Sequence, residues 1–86
     1  MKLKKEFLIY KNDPDTVLVP TGKAGFSGVV RGNSTFGVIL EMLKDDISEQ
    51  EMLSRMKSRF DGIPETIEKD VKMAINELRK IGALDE

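Results

Sequence analysis

The apolar and polar residues alternate in the first third of the chain and follow a helical period after that. The clearest helical pattern lies between Pro64 and Gly82, where apolar residues recur three or four positions apart. Pro64 suits a first helical turn, and Gly82 suits the left-handed residue after a last turn. We therefore predict a long helix over residues 64–82, against which the earlier elements pack. Its apolar stripe consists of Ile67, Val71, Ala74, Leu78 and Ile81.

A second stripe of mixed character lies beside the apolar stripe of this helix. By itself it is typical of a solvated helix face, with its one apolar residue at the margin of the core. A binding surface is the alternative that the pattern leaves open. The stripe consists of Glu68, Lys72, Ile75, Asn76 and Arg79.

Three short runs of apolar and β-branched residues have strand character, at residues 6–11, 16–19 and 26–31. Turn-forming residues separate the first two runs, and a glycine-containing segment separates the last two. Because the connections are short, an antiparallel meander is the simplest arrangement. Gly28 lies inside the third run, where a glycine marks either a bulge or the close approach of another backbone.

Gly32 ends the third run, and two shorter helices are predicted to follow it. Asn33 or Ser34 caps the first of them, and Ser48 with Glu51 forms a capping box at the second. The sequence contains no repeat and no linker. We predict a single α+β domain over residues 1–86, with a β-meander over residues 6–31 and three helices over residues 33–82.

The composition of the 86 residues excludes much chemistry, because the chain has no cysteine and no histidine. Disulfides, thiolate metal sites and imidazole general bases are therefore ruled out. The carboxylates follow exposed patterns, whereas acid–base catalysis needs a carboxyl group in a dry cleft. We expect no catalytic residue, no metal site and no cofactor.

The charge distribution argues against a nucleic acid as the partner. The net charge is −1, with +3 on residues 1–32 and −4 on residues 33–86. A nucleic-acid-binding protein usually carries its basic residues on the helical part. The positive first third suits either a solvated surface or an acidic partner segment. No apolar run is long enough to cross a membrane, and no signal peptide is evident, so we predict a cytoplasmic protein without membrane contact.

Short motifs spread along the chain resemble those of one family. Asn33-Ser34-Thr35 followed by Ile39 is similar to the family's NxT…I start of the first helix. Phe60-Asp61, Pro64 and Asp70-Val71 resemble an aromatic-Asp…Pro…Asp-Val series, and Leu78 with Gly82-Ala83-Leu84 resembles the closing L…GLL pattern. The family is that of the PqqD-like proteins, which comprises pyrroloquinoline quinone (PQQ) biosynthesis protein D and the RiPP precursor peptide recognition elements.

The resemblance extends from about Glu6 to Asp85, with two departures. Leu40 stands where many members have Trp, which is an exchange within the core. Gly32 stands where a Leu commonly precedes the Asn, at the end of the third predicted strand. The second departure lies close to the place where the family binds its ligand.

The resemblance implies a fold and a function. The fold is a three-stranded antiparallel sheet followed by a three-helix bundle, similar to a winged helix-turn-helix. The function is that of a non-catalytic, chaperone-like adaptor in cofactor or RiPP natural-product biosynthesis. It captures the leader of a ribosomally made precursor peptide by strand addition and presents it to a modifying enzyme, often a radical S-adenosylmethionine (SAM) protein.

In this family the leader pairs with the third strand and fills the groove between that strand and the third helix. An edge strand leaves backbone donors and acceptors unpaired, which is the property that strand addition requires. The peptide-binding residues that the resemblance implies lie on the third strand and on the mixed stripe of the last helix. They are Phe26, Ser27, Gly28, Val29, Val30, Arg31, Lys72, Ile75, Asn76 and Arg79.

Two other functions use the same predicted architecture. The second and third helices, joined by residues 61–63, resemble the helix-turn-helix of a DNA-binding protein. Glu65, Thr66 and Glu68 at the start of the third helix count against this function, because acidic residues there would face phosphates. A dimerisation module, in which two copies pair through the free edge of the sheet, is the other alternative.

Overall fold

The computed structural model describes residues 1–12, 15–22 and 28–86. Its first half contains the strands β1 (Lys2–Leu3), β2 (Phe7–Asn12), β3 (Asp15–Pro20) and β4 (Val30–Gly32). The strands are followed by the helices α1 (Ser34–Met42), α2 (Glu49–Arg59) and α3 (Pro64–Lys80), and by the short strand β5 (Leu84–Asp85). The predicted α+β fold is confirmed. Among the described residues, the helices are too short or too polar to cross a membrane.

The main sheet is antiparallel, with the strand order β2-β3-β4. Val30 of β4 lies opposite Leu18, and Arg31 lies opposite Val17. Of the predicted strand residues, Gly28 and Val29 lie outside β4, which begins at Val30. Gly32, which the sequence pattern predicts to break the strand, is instead its last residue. Gly28 has a φ of 113°, a conformation that favours glycine, at the point where the chain enters β4. Phe26 and Ser27 lie outside the described residues.

A second, two-stranded sheet joins the two ends of the described chain. β1 pairs antiparallel with β5, so that Leu3 lies opposite Leu84. The amide of Leu3 also donates to the carbonyl of Leu43 at 2.8 Å. The sequence pattern does not predict this sheet, because two residues are too few to show an alternating pattern.

The helix ends follow the predicted capping chemistry except at one half of the capping box: Ser48 caps α2, but the carboxylate of Glu51 binds Arg55 instead of the amide of Ser48. Asn33 accepts a hydrogen bond from the amide of Phe36 at 3.1 Å, and Ser48 accepts one from Glu51 at 3.1 Å. Gly82 has a φ of 72° and follows the last turn of α3. The amides of Gly82 and Ala83 donate to Arg79 and Leu78, which is the Schellman pattern. Because these bonds are local, the sequence was sufficient to predict them.

The core forms where α3 packs against α1 and α2, and where α1 packs against the inner face of the main sheet. α3 buries Ile67, Val71, Ile75 and Leu78. The structure differs here from the sequence pattern, since Ile75 is 0% exposed whereas Ala74 is only half-buried. Both positions flank the apolar stripe, and burying isoleucine removes much more apolar surface from water than burying alanine. The helix is therefore rotated about its axis so that Ile75, rather than Ala74, points into the core.

Replacement of Gly82 by alanine tests the left-handed turn after α3. A Cβ at Gly82 would meet no atom within 4 Å, so the only expected cost is that of the positive φ. We expect Gly82→Ala to lower the free energy of unfolding by about 1 kcal/mol in urea titrations. Gly22→Ala is the matched control, because its Cβ also meets open space but its φ is not positive. Equal effects of the two substitutions would contradict this account.

Candidate binding groove

A groove with a volume of about 390 Å³ lies between β4 and α3. One wall is the strand β4, and the opposite wall is α3. Phe36 and Ile39 of α1 contribute apolar surface to it. The groove therefore combines an apolar lining with the backbone of a sheet strand.

The strand wall is an edge of the main sheet. Within the described part of the chain, β4 pairs with β3 on one side and with no strand on the other. Val30 faces inward, since it lies opposite the fully buried Leu18 and packs against the core. Arg31 faces outward and is exposed. The unpaired backbone groups of β4 are therefore available beside the groove.

Phe36 and Gly32 occupy adjoining space at the end of the strand wall. A Cβ at Gly32 would lie 2.6 Å from the Cβ of Phe36 and would also collide with its ring. Asn33 begins α1 directly after the strand, and this brings Phe36, in the first turn, against Gly32. The ring of Phe36 thus takes the space that a side chain at position 32 would need. Gly32, one of the two departures from the family pattern, is therefore sterically required here.

The α3 wall consists of two acidic and two apolar residues: Asp70, Met73, Ala74 and Glu77. Met73 is 58% exposed, so a large apolar side chain is held in water at the groove. Asp70 and Glu77 are exposed and form no ion pair with any described residue. The wall therefore offers an apolar surface between two carboxylates.

The structure does not bring the predicted α3 residues to this groove. Lys72 and Asn76 line a shallow depression on the solvent side of α3. Ile75 is fully buried in the core and has no surface for a ligand. Arg79 binds Glu86 through two hydrogen bonds of 2.7 and 2.9 Å. This pairing raises the pKa of Arg79 and lowers the pKa of Glu86.

The rotation of α3 explains this difference. Successive helix residues are about 100° apart, so the two flanks of the buried stripe point in different directions. The predicted residues lie on the flank beyond Ile75, whereas the groove residues lie on the flank beyond Ala74. The signal that locates the groove residues is their position on that second flank, but the sequence does not show which flank faces β4.

Two predicted strand residues lie just outside β4. Gly28 and Val29 precede the strand, and Val29 is 61% exposed. Val30 and Arg31 line the groove. The structure therefore brings Val30 and Arg31 together with the α3 wall, and it leaves Gly28 and Val29 at the entrance to β4.

A second depression, of about 500 Å³, lies on another face, where β2 and β3 meet α1 and α2. Its Glu41 is paired with Lys44 at 2.9 Å and with Lys11 at 3.4 Å. The hydrogen bond from Lys44 is the main cause of the lowered pKa of Glu41. This depression does not contain β4, so it lacks the open strand edge of the first groove. Among the described residues, no cluster of acidic side chains is arranged to hold a metal ion.

The fold and the groove define a small α+β domain, with a three-stranded antiparallel sheet, three helices and an open strand edge. The chain belongs to the family described as Coenzyme PQQ synthesis protein D (PqqD), which matches residues 14–84. The family resemblance predicted from the sequence motifs is thereby confirmed. No curated protein matches the sequence significantly.

Two solved structures have a similar fold. One is described as "TbiB1 in Complex with the TbiA(beta) Leader Peptide"; it is 16% identical, covers 99% of this chain and 100% of its own, and has a TM-score of 0.73. The other is described as "Lasso peptide synthetase B1 complexed with the leader peptide"; it is 20% identical, covers 95% of this chain and 93% of its own, and has a TM-score of 0.72. Such identities establish likeness of fold.

The contact between Gly32 and Phe36 predicts a compensating pair of substitutions. Gly32→Leu, which introduces the common family residue, should lower the free energy of unfolding by about 1–3 kcal/mol, because the leucine collides with Phe36. Phe36→Ala should also destabilise the protein. In the double variant the leucine fills the space of the lost ring, so urea titrations should show a coupling energy of about 1 kcal/mol or more.

Gly22→Leu is the control for the Gly32→Leu substitution. A side chain at Gly22 enters open space, so its effect should simply add to that of Phe36→Ala. Additive energies for the Gly32→Leu and Phe36→Ala pair would show that the two positions do not share space.

Proposed function

We propose that this protein is a non-catalytic adaptor that binds the leader segment of a ribosomally made precursor peptide. The observation that supports this most directly is the position of β4, at the edge of the sheet and alongside an apolar groove. Strand addition needs both features, since backbone hydrogen bonds supply affinity and side-chain pockets supply specificity. The leader would pair with Val30–Gly32 and place alternate side chains against Met73 and Ala74.

The solved structures of similar fold support this proposal. Both are described as complexes with a leader peptide, and each is matched over nearly its whole length. The family to which the chain belongs is described by its part in PQQ synthesis. A chain with this fold and an open β4 edge therefore suits a precursor peptide better than it suits a small molecule.

We further propose that the bound peptide is presented to a modifying enzyme in the cytoplasm, of the radical SAM class, in cofactor or RiPP biosynthesis. The family resemblance is the basis of this step. In the adaptor role the domain holds the substrate, and the partner enzyme performs the chemistry. This division of labour fits a chain that has neither histidine nor cysteine.

DNA binding is the second candidate function, because α2 and α3 follow one another across a short connection, as the two helices of a helix-turn-helix do. The charges at the start of α3 argue against it. Glu65 is exposed, and Glu68 pairs with Lys57 at 3.5 Å. A recognition helix that presents these carboxylates would repel the phosphate backbone. The peptide-binding function has no such conflict.

Binding measurements on the purified protein distinguish the proposed functions. The probes are the short peptides encoded beside its gene and a random DNA duplex, and hydrogen exchange follows the amides of residues 30–32. We expect a peptide to bind with micromolar or better affinity and to protect those of these amides that do not already bond to β3. DNA binding with a steep salt dependence, without peptide binding, would overturn the proposal. Concentration-dependent dimers that protect the same amides without any peptide would instead support a dimerisation module.

The two flanks of α3 provide a matched pair of variants for the same assay. Met73→Ala removes an exposed apolar side chain from the groove, and we expect it to weaken peptide binding about five-fold. Asn76→Ala changes an exposed residue of the same helix outside the groove and should leave the affinity unchanged. A larger loss for Asn76→Ala than for Met73→Ala would place the peptide on the other flank of α3.

A further inference from the structure

The acidic residues of the groove lie at fixed positions along α3. Asp70 and Glu77 are seven residues apart, which is two helical turns or about 10.5 Å along the axis. Met73 and Ala74 lie between them on the same wall. The wall therefore presents a carboxylate, an apolar surface and a second carboxylate in sequence.

These two carboxylates differ from Glu41, Glu51 and Glu68, the acidic residues of the helices that form ion pairs. Glu51 pairs with Arg55 at 2.7 Å, and Glu68 pairs with Lys57 at 3.5 Å. Asp70 and Glu77, by contrast, have no cationic partner among the described residues. Arg31 is the one cationic residue described in the groove lining, and it belongs to the outward-facing row of β4. The α3 side of the groove is therefore negatively charged.

We propose that the peptide bound in this groove carries an apolar side chain flanked, two positions away on each side, by lysine or arginine. This inference rests on the proposed function and adds the chemistry of the ligand to it. In an added strand, side chains two positions apart share a face and lie about 6.6–6.8 Å apart. The apolar residue would contact Met73 and Ala74. The two flanking cations, about 13 Å apart, would extend along their flexible stems to Asp70 and Glu77.

Electrostatics would then determine which peptides bind rather than whether any peptide binds. Each exposed ion pair changes a dissociation constant by about 1.5- to 5-fold. A basic peptide would form two ion pairs, whereas its acidic counterpart would make two repulsive contacts. Their dissociation constants should therefore differ by about ten-fold or more. Because the pairs are exposed to solvent, the difference should shrink as salt is added.

Selection from a phage-displayed library of random peptides tests the inference. The baits are the unmodified protein, the double variant Asp70→Lys/Glu77→Lys, and the control Asp45→Lys/Glu65→Lys. The control makes the same charge change at two exposed acidic residues outside the groove. Circular dichroism establishes that each bait is folded. Selected peptides are then titrated at low and physiological salt.

We expect the unmodified protein and the control to enrich peptides with Lys or Arg two positions either side of an apolar residue. The groove variant should instead enrich Asp or Glu at those positions. Two outcomes would overturn the inference and leave the proposed function intact. In one, the enriched peptides bind the groove but show no preference for Lys or Arg. In the other, that preference persists in the groove variant. Failure of every folded bait to enrich any peptide would overturn the proposed function and the inference with it.

Discussion

The rotation of α3 about its own axis is the constraint on which the groove depends. It is set by the burial of Ile67, Val71, Ile75 and Leu78, each of which stabilises the fold by about 1.5–3 kcal/mol. Turning the helix enough to expose Ile75 would forfeit one of these contributions. The core thus holds Asp70 and Glu77 towards β4, and it holds Lys72 and Asn76 away from it. The packing of the buried face of α3 thus determines which side chains of that helix line the groove.

The strand β4 is short because it is bounded by local structure at each end. Gly28, with its positive φ, precedes it, and the N-cap Asn33 follows it at once. A short strand with an outward-facing arginine is a weak template for uncontrolled pairing between copies. The same strand still presents backbone groups beside an apolar groove. The geometry is therefore suited to a ligand that supplies side-chain contacts as well as a backbone.

Gly32 and Phe36 are matched to each other at one end of the groove. Position 32 carries no side chain, and the ring of Phe36 takes up the adjoining space. Apolar volume at this end of the groove is thus supplied by α1. Since Phe36 also lines the groove, its ring forms part of the surface that a ligand would meet.

The sequence by itself determined the features that arise from local interactions. It predicted the α+β order, the caps at Asn33 and Ser48, the left-handed Gly82 and the family, because each depends on neighbouring residues or on short motifs. The β1–β5 sheet and the inward turn of Ile75 depend on contacts between distant segments, which no local period encodes. Only the tertiary structure decided which flank of α3 faces β4. That choice replaced the basic residues expected at the groove with Asp70 and Glu77, because a helix exposes two flanks and only packing selects between them.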